Sequence, residues 1–243
     1  MQNAIKKIAL VTGANKGIGF EVASQLARSG CIVLLGARNK GLGEEAAGRL
    51  SAEGLDARYL AIDLTDPAII ADAAKRIAAD FGHLDILVNN AGIAVPGDGP
   101  PTASSLDAIE RTLRVNFVGS VAVAQAMLPL LREAPSARIV NVSSGLGSLE
   151  HGGDPGYAPT SRYLGYCASK AALNMLTVQL ANELRGSAIK VNSADPGYTA
   201  TDLNGHRGTQ TIPEGAAETI RLALLPEDGP TGAFSDRNGM IPW

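Results

Sequence analysis

What most constrains this chain is the alternation of short, mostly apolar runs with longer stretches of helical pattern. The runs are IALVT (8–12), CIVLLGA (31–37), ARYLAI (57–62), DILVNN (85–90), RIVNVSS (138–144) and IKVNSA (189–194). Helical patterns follow at 17–29, up to about residue 53, and at 67–81, 105–132, 164–184 and 213–225. A strand that is apolar on both faces belongs in a parallel sheet covered by helices. Repeated strand–helix units of this kind predict a doubly wound parallel α/β sheet. GAFSD (232–236) adds a last strand, making about seven. With 243 residues the chain suits one domain spanning 1–243. Such a domain buries roughly 70–75% of its unfolded surface and needs no disulfide or metal staple. The Gly- and Pro-rich stretch 147–160 reads as a loop, and the polar stretch 199–212 as a mobile lid.

Charge and cysteine content narrow the function classes. The formal net charge is −3, which gives no electrostatic reason to expect nucleic acid or an anionic membrane as partner. No 18-residue apolar run suggests a membrane span, and the N-terminus lacks the apolar core of a signal peptide. Cys31 and Cys167 lack metal-ligand spacing and read as reduced residues of a cytoplasmic protein. His83, His151 and His206 form no ligand or triad spacing, so no metal is expected.

The first run leads into TGANKGIG (12–19), with glycines at 13, 17 and 19. Glycine permits a tight turn and a close backbone approach, and the helix that follows offers free N–H groups to an anion. The spacing is GxxxGxG, where the common dinucleotide fingerprint has GxGxxG. Gly13, Asn15, Lys16, Gly17, Ile18 and Gly19 are therefore candidate phosphate-binding residues. The second run ends LLGARNK, and no acid stands where an NAD site would bind its ribose. Arg38 is placed to receive a 2′-phosphate, and Lys16 can approach the same group. Each charge-assisted contact is worth about 1.5–3 kcal/mol, which favours NADP(H).

In SRYLGYCASK (161–170), Tyr166 and Lys170 are four residues apart, one helical turn on the same face. Tyr163 is out of step with that lysine and falls to a pocket wall or loop packing. Cys167 lies about 100° around the helix from Tyr166 and reads as packing. A lysine cation ~5 Å from a phenol, at an effective dielectric of ~20, contributes about 3 kcal/mol. That would lower the phenol pKa by roughly two units, towards the range of a general acid.

TGANKGIG, NNAG (89–92), Asn116 within RVNFVG, VSS (142–144), YCASK (166–170) and DPG (195–197) together resemble the short-chain dehydrogenase/reductase family. These motifs span nearly the whole chain in the family's order. The tail GPTGAFSDRNGMIPW resembles the NADPH-dependent carbonyl reductases of that family. The resemblance implies a Rossmann domain and a catalytic group of Asn116, Ser144, Tyr166 and Lys170. In that group Ser144 bonds the carbonyl oxygen, and Asn116 holds a water linking Lys170 to solvent. It also implies cofactor contacts from Asp63 and Leu64 at the adenine, from Asn90, Ala91 and Gly92 at the ribose, and from Pro196, Gly197 and Thr199 at the nicotinamide. Asn89 is expected to brace adjacent strands. The substrate pocket is expected from Val95, Leu146, Tyr198, Leu203 and Trp243, with a small hydrophobic ketone or aldehyde as substrate. Ser144 and Tyr166 are separated by 166 − 144 = 22 positions, against about a dozen in many relatives. The extra segment, within 147–163, is expected to cap the pocket and to favour a monomer or dimer over a tetramer. Two other readings stay open: a 3-oxoacyl-carrier-protein reductase, and a non-catalytic NADP-binding sensor or scaffold.

Overall fold

The computed structural model describes residues 6–154 and 163–243. Eight strands form one sheet: β1 (Ile8–Thr12), β2 (Ile32–Ala37), β3 (Ala57–Ala61), β4 (Ile86–Asn89), β5 (Ala137–Val142), β6 (Ile189–Ala194), β7 (Phe234–Asp236) and β8 (Gly239–Met240). Their order is β3-β2-β1-β4-β5-β6-β7-β8. Pairings from β3 through β7 are parallel, and β8 closes the edge antiparallel. The sequence reading missed β8, because two residues after a turn carry no periodic signal.

The helices are α1 (Gly17–Arg28), α2 (Lys40–Ala52), α3 (Pro67–Phe81), α4 (Leu106–Leu113), α5 (Ser120–Glu133), α6 (Leu149–Gly153), α7 (Leu164–Glu183) and α8 (Ile212–Ala223). They cover both sides of the sheet. Along β1, Ile8 and Leu10 enter one core with Ile70 and Ile77 of α3, Met127 and Leu131 of α5 and Ala181 of α7. Ala9 and Val11 enter the other, with Val22 and Leu26 of α1, Leu50 of α2 and Leu222 of α8. This two-sided burial is the reason the strands read as unbroken apolar runs. Helix ends follow local chemistry. Asp66 caps α3 through Ala68 N at 2.9 Å, Pro67 opens it and Gly82 ends it at φ 77°. Thr211 and Glu214 form a capping box on α8.

Two expectations change here. The stretch from 147 read as loop, but Gly145–Gly147 is a 3-10 turn and 149–153 is α6, capped by Ser148 through His151 N. A short helix with two glycines gives no helical pattern. Residues 155–162 of the extra segment lie outside the described residues. Second, α4, the π turn Arg114–Gly119 and α5 join into one helix, Leu106–Glu133, long and apolar enough by length and composition to cross a membrane. Val123, Ala124, Met127, Leu130 and Leu131 of that helix are buried under the sheet, so one face of it belongs to the core.

Candidate active site

Strand order reverses between β1 and β4, and ligand clefts of doubly wound sheets open at such a point. A cleft of about 670 Å³ lies there. Three features build its floor. Gly13 and Gly17 have φ of 66° and 59°, in the region that favours glycine. A Cβ on Gly19 would stand 2.4 Å from Asn90 Nδ2 and 2.5 Å from Gly13 O, so only glycine fits. Asn90 Nδ2 donates to Thr12 O at 2.8 Å, and Thr12 Oγ1 accepts from Asn90 N at 3.0 Å and Ala91 N at 3.1 Å. These bonds lock segment 90–92 against the glycine turn. Below them, Asn89 Nδ2 donates to Asn141 Oδ1 at 2.9 Å and ties β4 to β5, the bracing expected of Asn89.

The glycine-turn residues Gly13, Asn15, Lys16, Gly17, Ile18 and Gly19 line the cleft, as do Arg38, Asp63, Leu64, Asn90, Ala91, Gly92, Tyr166, Lys170, Pro196 and Leu203. Ser144, Asn116, Gly197, Thr199, Val95, Leu146, Tyr198 and Trp243 do not line it. Thr199 is buried and donates from Oγ1 to Pro196 O at 2.8 Å. Tyr198 is exposed. Trp243 stacks on Phe234 with ring centroids 5.5 Å apart, and its carbonyl accepts from Glu150 N of α6. Tyr163 stands exposed at the start of α7.

At the outer rim Arg38 is exposed and forms no ion pair among the described residues. Lys16 is differently placed. Its Nζ lies 2.5 Å from Asp202 Oδ2 of the 199–212 segment, and Asp202 Oδ1 lies 2.7 Å from His206 Nε2. Hydrogen bonding to Lys16, then its charge, then His206 hold the Asp202 carboxyl below its ordinary range. Asp202 and His206 also line the cleft, which no local sequence signal announced.

At the inner end, α7 presents Tyr166 and Lys170 one turn apart. Lys170 Nζ lies 5.6 Å from the Tyr166 ring centroid and donates to Val142 O, at the end of β5, at 2.7 Å. A Cβ on Gly147 would come within 2.7 Å of the Lys170 carbonyl carbon, so the turn after Ser144 packs directly on the Lys170 backbone. Ser144 Oγ accepts from Leu146 N at 3.2 Å, and its hydroxyl acts on the Tyr166 phenol to lower the phenol pKa. Asp195 follows β6 directly, and its Oδ1 accepts from Gly197 N at 2.9 Å.

The electrostatics reverse one expectation. Burial raises the Tyr166 pKa above its ordinary value, and the Asp195 charge raises it further, while the Ser144 hydrogen bond opposes both. Lys170 is itself lowered to about 8 by burial, with Asp195 working the other way. The expected lowering of Tyr166 counted the lysine and omitted the loss of water and the nearby carboxylate.

Asn116 sits in the π turn Arg114–Gly119, a feature often found at functional sites. Its Oδ1 accepts from Ile93 N at 2.8 Å, and its Nδ2 donates to Ile93 O at 2.9 Å and Ser169 Oγ at 3.0 Å. Both amide hydrogens are thus committed to bracing segment 91–93 against α7. Its carbonyl accepts from Ser120 Oγ at 3.0 Å.

Three comparisons agree on kinship. The family model for short chain dehydrogenases matches residues 7–211. Short-chain dehydrogenase/reductase 1 of Saponaria officinalis is 36% identical, covering 99% of this chain and 97% of that protein. Carbonyl reductase [NADPH] 1 of Mus musculus is 34% identical, covering 98% and 99%. Among solved structures, the NADPH-bound carbonyl reductase from chicken fatty liver superposes with a TM-score of 0.86 at 30% identity, covering 98% of this chain and 94% of that one. Motif order, sheet topology and these likenesses converge: the chain belongs to the short-chain dehydrogenase/reductase family of oxidoreductases.

Proposed function

We propose that the protein is an NADPH-dependent carbonyl reductase that converts a small hydrophobic ketone or aldehyde to its alcohol. The observation that carries this reading is the cleft itself. One continuous space joins a glycine turn with Arg38 and Lys16 at its rim to Tyr166 and Lys170 at its depth. Gly13 and Gly19 let the turn pack directly on Asn90 and Ala91, and Gly17 leaves open space, with nothing nearer than Thr201 Cγ2 at 3.9 Å, which fits the close approach of a dinucleotide. The mouse and chicken relatives are named as NADPH carbonyl reductase and NADPH-bound carbonyl reductase, in the same sense.

In this reading the N–H groups at the start of α1 bind pyrophosphate, Arg38 and Lys16 bind the 2′-phosphate, and Asp63 and Leu64 flank the adenine. When bound, the dinucleotide supplies a hydride to the carbonyl carbon. The Tyr166 phenol gives its proton to the carbonyl oxygen, and Ser144 bonds that oxygen as charge develops. A raised phenol pKa keeps the proton in place until it is needed, and the Lys170 cation stabilises the phenolate that remains. Asn116 holds segment 91–93 and Ser169 in register. The 199–212 segment, which brings Thr201, Asp202, Leu203 and His206 to the cleft, acts as a lid, and the extra segment after Ser144 disfavours a tetramer.

The test is loss of NADPH absorbance with a panel of aliphatic, cyclic and aromatic ketones and a 3-oxoacyl thioester, repeated with NADH. Turnover of the thioester alone would favour the carrier-protein reductase, and no turnover with tight NADPH binding would favour a sensor. Faster turnover with NADH would remove the roles of Arg38 and Lys16. Tyr166→Phe is expected to abolish turnover, and a fully active variant would remove the proton donor.

A further inference from the structure

Helix α7 lacks a cap of its own. Tyr163 occupies the N-cap position, and its side chain makes no capping bond. An uncapped helix leaves its first N–H groups without partners. Here they are taken up by a loop some 67 residues earlier. Leu164 N donates to Gly99 O at 2.9 Å, Gly165 N to Asp98 Oδ1 at 2.8 Å and Tyr166 N to Asp98 Oδ2 at 2.8 Å. Both oxygens of one carboxylate therefore hold two consecutive amides, the second belonging to the tyrosine at the centre of the site. The carboxylate is fixed in turn. Ser104 Oγ donates to Asp98 Oδ1 at 2.9 Å and accepts from Gly99 N at 3.2 Å, and Gly97 turns the loop at φ 91°. A Cβ on Gly165 would come within 3.1 Å of Ile109 Cα and 3.2 Å of Asp98 Oδ2, so the missing side chain is what admits the carboxylate.

We propose that Asp98 is a positioning residue for the reaction: by clamping the Gly165 and Tyr166 amides it sets the direction in which the Tyr166 phenol meets Ser144 and the substrate oxygen. This rests on the reading of Tyr166 as proton donor. Two aligned bonds to successive amides fix the first turn against rotation as well as fraying, and the carboxylate charge suits a helix N-terminus. Lys170, one turn further on, is anchored independently by Val142 O and by the turn at Gly147. Loss of the clamp therefore loosens Tyr166 while leaving Lys170 and the glycine turn in place. A misplacement of about 1 Å at a reacting group costs about 10²-fold in rate.

The experiment uses the full-length protein with NADPH and the best ketone of the panel, measured well below the melting temperature. Asp98→Ala is expected to lower kcat tenfold to a hundredfold. Asp98→Asn keeps one acceptor oxygen and is expected to fall between it and the parent. For both, the NADPH Kd stays within about twofold, and the alkaline limb of the pH–rate profile, set by Lys170, stays at the same pH. A cap with only a structural role would lower the melting temperature and leave kcat unchanged. Wild-type kcat in folded Asp98→Ala, or in Asp98→Asn if the alanine variant does not fold, overturns the proposal. A fall in rate explained wholly by weaker NADPH binding overturns it as well. Tyr166→Phe run alongside separates the two ideas: if it is inactive and the Asp98 variants are not, only the positioning role fails.

Discussion

Thr12→Val tests whether the join between the glycine turn and segment 90–92 is held by one hydroxyl. Thr12 is fully buried at the end of β1. Its Oγ1 donates to Val88 O at 3.3 Å and accepts from Asn90 N and Ala91 N. Valine keeps the shape and removes all three bonds. The consequences are unequal. Asn90 N retains a second acceptor, Val88 O at 3.1 Å, and Val88 O loses only a long bond. Ala91 N is left with none of the acceptors it had. An orphaned buried donor costs about 1–3 kcal/mol, and Ala91 is only half-buried at the cleft, so the expected loss is about 1–2 kcal/mol from one amide. Counting three equal bonds would overstate it. Urea unfolding monitored by far-UV circular dichroism measures the loss, with Thr12→Ser as a control expected to lose less than about 1 kcal/mol. Because Ala91 and Gly92 line the cleft, NADPH affinity is expected to fall with stability for valine and to be kept for serine. A valine variant within about 0.5 kcal/mol of the parent would mean that water replaces the hydroxyl, and the argument from an orphaned amide would be wrong.

Two further outcomes follow from the charges around the cleft. Lys170, lowered to about 8 by burial, is cationic at pH 7 and loses its charge above about pH 8. Ketone reduction should therefore fall by up to tenfold per pH unit above that point, measured as kcat at saturating NADPH. Stability should move the other way: between about 8 and the ordinary 10.5 the unfolded chain binds more protons, so this group makes the ligand-free protein more stable as pH rises through that window. A rate loss that tracks unfolding would refute the assignment. Asp202→Asn removes the acid that Lys16 and His206 share, freeing Lys16 for a phosphate. The NADPH Kd should tighten a few-fold relative to the NADH Kd by fluorescence titration at low salt, and an unchanged ratio would show that Lys16 does not meet the 2′-phosphate.

Much of the fold was legible because each element carried its own signal. The unbroken apolar strands declared a sheet buried on both faces, and α3 ran from a Pro after an Asp to a Gly, with ends that matched at 67 and 81. The site was legible where function depends on short-range spacing: three glycines in one turn, and a tyrosine and lysine one helical turn apart. It was not legible where partners meet across the fold. Asp98 lies 68 residues from the amide of Tyr166, and Asp202 lies 186 from Lys16. Their sequence surroundings are ordinary acidic loop, and only the fold brings Asp98 to the start of α7 and Asp202 to the cleft. Trp243 and Leu146 were placed by proximity in sequence to other motifs, and the packing of Trp243 on Phe234 shows how little that fixes a side chain.

The tyrosine expectation failed for a different reason. Its distance term was sound, since the lysine lies 5.6 Å from the ring against ~5 Å expected. What sequence spacing omits is the medium. Taking the phenol and the ammonium out of water opposes ionisation of one and protonation of the other, and Asp195 offsets the second while adding to the first. The resulting pair holds a protonated phenol beside a cation that titrates near neutrality. That is a poor base for removing a proton from an alcohol at pH 7, and a donor that keeps its proton until an oxyanion forms. At neutral pH the phenol therefore stays protonated, the state that the proposed proton donor needs. Asp195, which no motif role anticipated, adds to that protonation from just beyond β6.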